Sequence, residues 1–144
     1  MTYFAVIDTN VIVSSMLKSN SIPGWIIKLV SKNIIVPLLN EEIVNEYYEV
    51  LTRNEFGLNP LTVNTLLEGI KEKGLYLQRH QSFEQFIDKD DIVFYEIVMS
   101  ARSTMDAYFV TGNLRHYPIR KYVVTPREMM QIIEKETGLQ LLEA

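Results

Sequence analysis

Tyr3-Phe4-Ala5-Val6-Ile7-Asp8-Thr9-Asn10-Val11 decides how this chain reads. Tyr3 to Ile7 is a short apolar run of the kind that makes a buried strand. It stops at a carboxylate, Asp8, and a helical pattern begins at once from Asn10. Asp8 therefore falls at the carboxyl end of a strand, where ligands bind in open α/β sheets. A second run, Ala107-Tyr108-Phe109-Val110-Thr111, ends in the same way at Gly112-Asn113. Two strands that hand polar groups to one rim point to a site rather than a core.

Outward from these two runs, strands alternate with helices. Pro23 suits the first turn of a helix carrying Trp25, Ile26 and Leu29. Asn33–Pro37 reads as a strand, and Asn40 is a good N-cap for a helix to about Arg53. Asn59-Pro60 opens another helix, which Gly74 closes. Leu75–Gln78 suits an edge strand. Asp88 or Asp90 is placed to cap a helix with Phe94, Ile97, Val98 and Ala101 at helical spacing. A short strand over Tyr122–Thr125 leads into Thr125-Pro126-Arg127-Glu128, which has capping-box spacing. The alternation predicts an α/β fold, a three-layer α/β/α sandwich around a mostly parallel sheet. One domain over residues 1–144 is expected from the length.

Bulk composition narrows the class. Hydrophobic residues make up 47 %, enough for a sizeable core and too many for a disordered chain. No apolar run approaches membrane-spanning length, and no basic n-region precedes the first strand, so neither a membrane span nor a signal peptide is expected. The absence of cysteine excludes disulfides, zinc-thiolate sites and cysteine nucleophiles, and agrees with a cytoplasmic protein. A net charge of −4 weighs against a generic basic nucleic-acid surface. The charge is uneven, however: Arg115-His116-Tyr117-Pro118-Ile119-Arg120-Lys121 is basic. An acidic protein can still act on a polyanion when cations on its carboxylates invert the local field.

Four segments offer oxygen ligands. Asp8 either ends its strand as a helix cap or serves the site. Among Glu41, Glu42, Glu46 and Glu49, only Glu46 falls beside Ile43 and Val50 at the margin of the apolar stripe, so it can reach a cleft while Glu41 and Glu49 point into water. Asp88-Lys89-Asp90-Asp91 holds more acids than one cap needs, and crowded carboxylates favour a divalent cation. Asn113, after Thr111-Gly112, is either a turn residue or a further ligand. Asp8, Glu46, Asp91 and Asn113 with no thiolate suit Mg²⁺ or Mn²⁺ rather than zinc. Such a site can activate water against a phosphodiester. His80 reads as a surface residue. His116, in the basic stretch, is a candidate phosphate contact.

In their order and spacing these motifs resemble PIN-domain proteins. The resemblance rests on Val6-Ile7-Asp8-Thr9-Asn10-Val11, Glu46 within Asn45–Leu51, Asp88–Asp91, and Val110-Thr111-Gly112-Asn113-Leu114-Arg115-His116-Tyr117-Pro118. It extends over nearly the whole chain, to Thr125–Glu128, and is nearest to the small bacterial and archaeal branch of toxin components in toxin–antitoxin systems. It implies a Mg²⁺- or Mn²⁺-dependent ribonuclease with an acidic pocket at the rim of a parallel sheet. Its three acids match Asp8, Glu46 and Asp91, with Asp91 keeping the family's spacing to the helix near Phe94. The fourth position, often Asp, matches Asn113, a weaker and neutral ligand. Thr9 and Asn10 match residues that support the first acid, with Asp90 and Thr111 as further supporting residues. Ile92 stands where a third consecutive acid is common. Arg115, His116 and Arg120 would contact RNA. An antitoxin protein and a homodimeric partner are further expectations of the resemblance.

Two other functions compete. A phosphatase could use Asp8 as nucleophile, but haloacid-dehalogenase-type enzymes need a second acid two residues on, and that residue is Asn10. A PIN-like module that binds nucleic acid or protein with little catalysis is the non-enzymatic reading, and Asn113 is the feature that favours it.

Overall fold

Five parallel strands form one sheet in the order β3-β2-β1-β4-β5. In the computed structural model, residues 1–79 and 91–141 are described. The strands are β1 (Tyr3–Ile7), β2 (Ile35–Leu39), β3 (Leu75–Tyr76), β4 (Ala107–Val110) and β5 (Val123–Val124). The described helices are α1 (Thr9–Leu17), α2 (Ile22–Ser31), α3 (Glu41–Leu51), α4 (Pro60–Lys73), α5 (Ile92–Arg102) and α6 (Pro126–Thr137). The connections from β1 to β2 to β3 run one way across the sheet, and that from β3 to β4 runs back. With right-handed crossovers, α1–α4 and α5 then cover opposite faces. Helix α5 packs on β1, β2 and β4, and α2 packs with α6. This is the expected three-layer α/β/α sandwich, with every strand pair parallel.

Local chemistry sets the helix starts. Asn40 accepts from the Ile43 N–H at 2.8 Å, and Asn59 accepts from Leu61 and Thr62. Thr125 and Glu128 form the reciprocal capping box at α6. Ser21 caps α2, with Pro23 in its first turn. Asp88 and Asp90, expected to cap the next helix, lie outside the described residues; α5 runs from Ile92, with Asp91 before it.

Strand β2 begins two residues later than expected and runs through Pro37. Ile34 O accepts from Tyr3 N on the β1 side, and Leu39 O accepts from Leu77 N on the β3 side. By alternation, the nitrogen of residue 37 points away from β1, and β3 pairs only with Leu38 and Leu39. The missing N–H of proline therefore removes no bond to β1. The core is centred on Tyr47, Phe94, Tyr95 and Phe109, all fully buried. No described helix is long and apolar enough to cross a membrane.

Candidate active site

Because β1 and β4 are neighbours in register, with Ile7 opposite Val110, the residues that follow them meet at the sheet's carboxyl rim. Asp8 N donates to Val110 O at 2.9 Å. The Thr111 hydroxyl donates to Asp8 Oδ2 at 2.6 Å, and Asn10 Nδ2 donates to the same oxygen at 3.2 Å. Asn10 Oδ1 in turn accepts from Gly112 N at 3.2 Å. A Cβ at residue 112 would lie 3.3 Å from that oxygen, so the close approach favours glycine. Asp8 occupies the N-cap position of α1, yet its side chain makes no capping bond. It is held for something other than starting the helix.

The other acids converge on it from two helices. Thr9, buried beside Asp8, donates its hydroxyl to Glu46 Oε2 at 2.8 Å. Glu46 stays at the margin of α3 because Ile43, Val44, Tyr47 and Leu51 take the buried face. Asp91, at the start of α5, faces His116 Nδ1 at 3.2 Å. Tyr117, buried, feels the charge of the same carboxylate.

Electrostatics tie the three together. Burial pushes Asp8 up to about 6; the charges of Asp91 and Glu46 add to the rise, while hydrogen bonds from Thr111 and the Thr9 backbone oppose it. Tyr117 is raised far above the ordinary phenol range, by burial first and then by Asp8, Asp91 and Glu46. Tyr47 rises through burial and through Asp8 and Glu46. The charges of all three carboxylates therefore reach Tyr117, and those of Asp91 and Glu46 reach Asp8.

Most of the remaining candidates are exposed. Asn113 is exposed, and its N–H donates to the Thr111 hydroxyl at 3.0 Å, so Thr111 bridges Asn113 and Asp8. Arg115 and Arg120 are exposed, and the Arg120 guanidinium donates to Ile119 O at 2.8 Å. His116, expected to meet phosphate, has its Nδ1 3.2 Å from Asp91 Oδ2. Asp90 and His80 lie outside the described residues. Among the described residues, no three Asp, Glu, His or Cys side chains are grouped to hold a metal ion as they stand. The donor chemistry nonetheless suits a hard cation: Asp8, Glu46 and Asp91 offer only oxygen, and the charges of Asp91 and Glu46 raise the proton affinity of Asp8. Mg²⁺ commonly keeps several waters and takes only one or two carboxylates directly, so such a set need not form a closed protein cage.

Sequence reasoning missed Tyr117, Tyr47 and an ion-pair cluster that ties α3 to α5. Arg79 pairs with Glu42 at 2.8 Å and with Glu96 at 2.5 Å. Glu96 is a buried acid amid Val93, Phe94, Tyr95, Ile97 and Val98, and that interruption of an apolar run was a readable signal. The two tyrosines gave no comparable signal, since aromatic residues on apolar faces ordinarily mean core.

Residues 5–115 match the family model of the PIN domain. No curated protein matches the chain.

Proposed function

Because this chain belongs to the PIN-domain family, which has a nuclease fold, we propose that it is a metal-dependent endoribonuclease that hydrolyses RNA phosphodiester bonds, and that it is the toxin of a toxin–antitoxin pair. The observation that carries the catalytic part is the buried Asp8, oriented by Thr111 and Asn10 and coupled to Asp91 and Glu46. A carboxylate buried among like charges is poorly stabilised alone, and a dication relieves it.

Asp8, Glu46 and Asp91 would hold Mg²⁺ or Mn²⁺, directly or through water. When bound, such an ion lowers the pKa of a water and offsets charge on the phosphodiester. The chain's own residues do the positioning. Thr111 and Asn10 hold the Asp8 carboxylate, and Thr9 holds that of Glu46. Asn113 is placed by Thr111 to orient water with its neutral amide. Arg115 and Arg120 supply positive charge at the edge for RNA phosphates. The amide of Asn10 donates to Asp8 where a phosphatase of the aspartyl type would need a second acid, which favours hydrolysis without a covalent step.

The test is cleavage of a single-stranded RNA with Mn²⁺, with EDTA, and with Asp8→Asn protein. Cutting is expected only in the first case. Cutting that persists in the Asp8→Asn protein would refute this assignment. Mn²⁺ uptake and RNA binding without cleavage would favour the weakly catalytic binding module. The toxin role is tested by growth arrest on expression, absent with Asp8→Asn.

A further inference from the structure

A cavity of about 520 Å³ lies beside the carboxyl ends of β2 and β3, lined by Glu41, Val44, Asn45, Lys71 and Tyr76. Its position follows from the topology. Helix α3 leaves the end of β2 through Asn40, and β3 ends at Tyr76, opposite Leu39. Glu41 and Asn45 stand one helical turn apart on the same face of α3. Glu46, the next residue, is turned about 100° from Asn45, and its carboxylate accepts from Thr9. One helix thus shows Glu46 to the Asp8 side, and Glu41 with Asn45 to the β3 side. Strand β3 is the second from β1. With neighbouring strands about 4.8 Å apart, Tyr76 stands on the order of 10 Å along the rim from the end of β1. That is close enough for a nucleotide flanking a phosphodiester held at Asp8.

The polar groups of this lining are open to a ligand. Tyr76 is 47 % exposed although it belongs to a strand, and Glu41 and Asn45 are exposed as well. Among the described residues, none of these three side chains makes a hydrogen bond or an ion pair. Lys71, from α4, pairs with Glu68 at 3.1 Å and brings a cation to the same cavity. We propose that the cavity takes a guanine base of the RNA, from a nucleotide flanking the cut bond; this rests on the ribonuclease reading above. An exposed tyrosine ring gives a base a face to stack on. The Glu41 carboxylate only accepts hydrogen bonds. Guanine alone carries two adjacent donors on its pairing edge, N1–H and the 2-amino group, which match the two oxygens of a carboxylate. Adenine, cytosine and uracil each set an acceptor beside the donor, so one carboxylate oxygen would face a lone pair. The Asn45 amide and the Lys71 ammonium are donors for guanine O6 and N7. The same carboxylate repels phosphate, so the cavity receives a base rather than the RNA backbone.

The experiment is fluorescence anisotropy with short single-stranded RNAs that differ at one central base, bound to the Asp8→Asn chain in EDTA at low salt. The RNA with guanine is expected to bind about 10-fold more tightly than those with adenine, cytosine or uracil. Adding Glu41→Gln should remove most of that preference. Adding Tyr76→Ala should weaken binding of the guanine RNA about 10-fold through lost stacking. Both side chains are exposed, so circular dichroism should show either variant folded. Glu49→Gln, on the same helix but paired with Arg53, should leave the preference intact. Equal binding of the four RNAs, no binding of any, or a preference that survives Glu41→Gln would overturn the inference. The same RNAs with Mn²⁺ and the unsubstituted chain test the reading beneath it. Cutting without regard to guanine would overturn the role of the cavity and keep the nuclease. Guanine-preferring binding with no cutting would overturn the nuclease and keep the cavity as a base-binding site.

Discussion

Replacing Asp8 by Asn should make the protein more stable at the pH where it is expected to work. The ionised carboxylate is held in a buried site beside two other acids, which raises it from 3.8 to about 6. The folded state therefore binds this proton more tightly than the unfolded state does. Between pH 3.8 and 6 the folded chain is protonated at Asp8 and the unfolded chain is not, so stability falls as pH rises through that window. Above about 6 the full penalty applies, about 3 kcal/mol at roughly 1.4 kcal/mol per unit. Asn cannot ionise, yet it keeps an oxygen for the Thr111 hydroxyl and the Asn10 amide. Allowing for imperfect replacement, a gain of about 1–3 kcal/mol at pH 8 is expected, a rise in Tm on the order of 3–10 °C. Circular dichroism melts at pH 8, 6 and 4 in EDTA measure it. The gain should shrink through pH 6 and vanish near pH 4. Added Mn²⁺ at pH 8 should narrow the gap by stabilising only the chain that binds it. An Asp8→Asn protein less stable at pH 8, or one whose gain ignores pH, would show that Asp8 is not a strained carboxylate.

Other substitutions probe the rest of the structure. Arg79→Ala removes the guanidinium from the buried Glu96 and should lower stability by about 1–3 kcal/mol in urea titrations, a range discounted because Arg79 is 36 % exposed. Gly24→Ala would put a Cβ 1.9 Å from the backbone oxygen of Ser19, so a loss of about 1–3 kcal/mol is expected in the same titrations. Arg115→Glu with Arg120→Glu should weaken RNA binding by the cleavage-deficient Asp8→Asn protein. It should also flatten the salt dependence of log K by on the order of 1.4, as read by fluorescence anisotropy, and an unchanged slope would remove these arginines from the RNA path. Glu46→Gln should abolish cleavage at saturating RNA while leaving the melting curve at or above that of the unsubstituted chain.

What the sequence disclosed and what it hid divide along the range of the interactions. The caps at Asn40 and Asn59 and the box at Thr125–Glu128 were legible because each joins a side chain to backbone two or three residues away. The central strands were legible because buried parallel strands are nearly continuous apolar runs, as in Tyr3–Ile7 and Ala107–Val110. Placing Asp8 and Thr111 on one rim followed from strand ends alone. The contacts that give the rim its character were not legible. Tyr117 lies in a stretch dominated by Arg115, His116 and Arg120, which drew attention to charge rather than to the buried phenol among them. The contact of His116 with Asp91 spans 25 residues, and that of Arg79 with Glu96 spans 17, with no local rule to announce either. Pro37 argued for an early end to β2, because only the late start of β3 reveals that its nitrogen, which points away from β1, faces no partner on β3.

The bond between Thr111 and Asp8 joins residues 103 positions apart. A growing polypeptide displays Asp8 long before the hydroxyl that steadies it, 103 residues later, has been made. Any fragment that stops short of β4 lacks the neighbour on which β1 leans and half of the ring of bonds around the carboxylate. Chemical competence at this rim is thus postponed until β4 and Thr111 have been added, and an amide-exchange signal from Asp8, whose N–H is held by Val110 O, would report whether that assembly has happened.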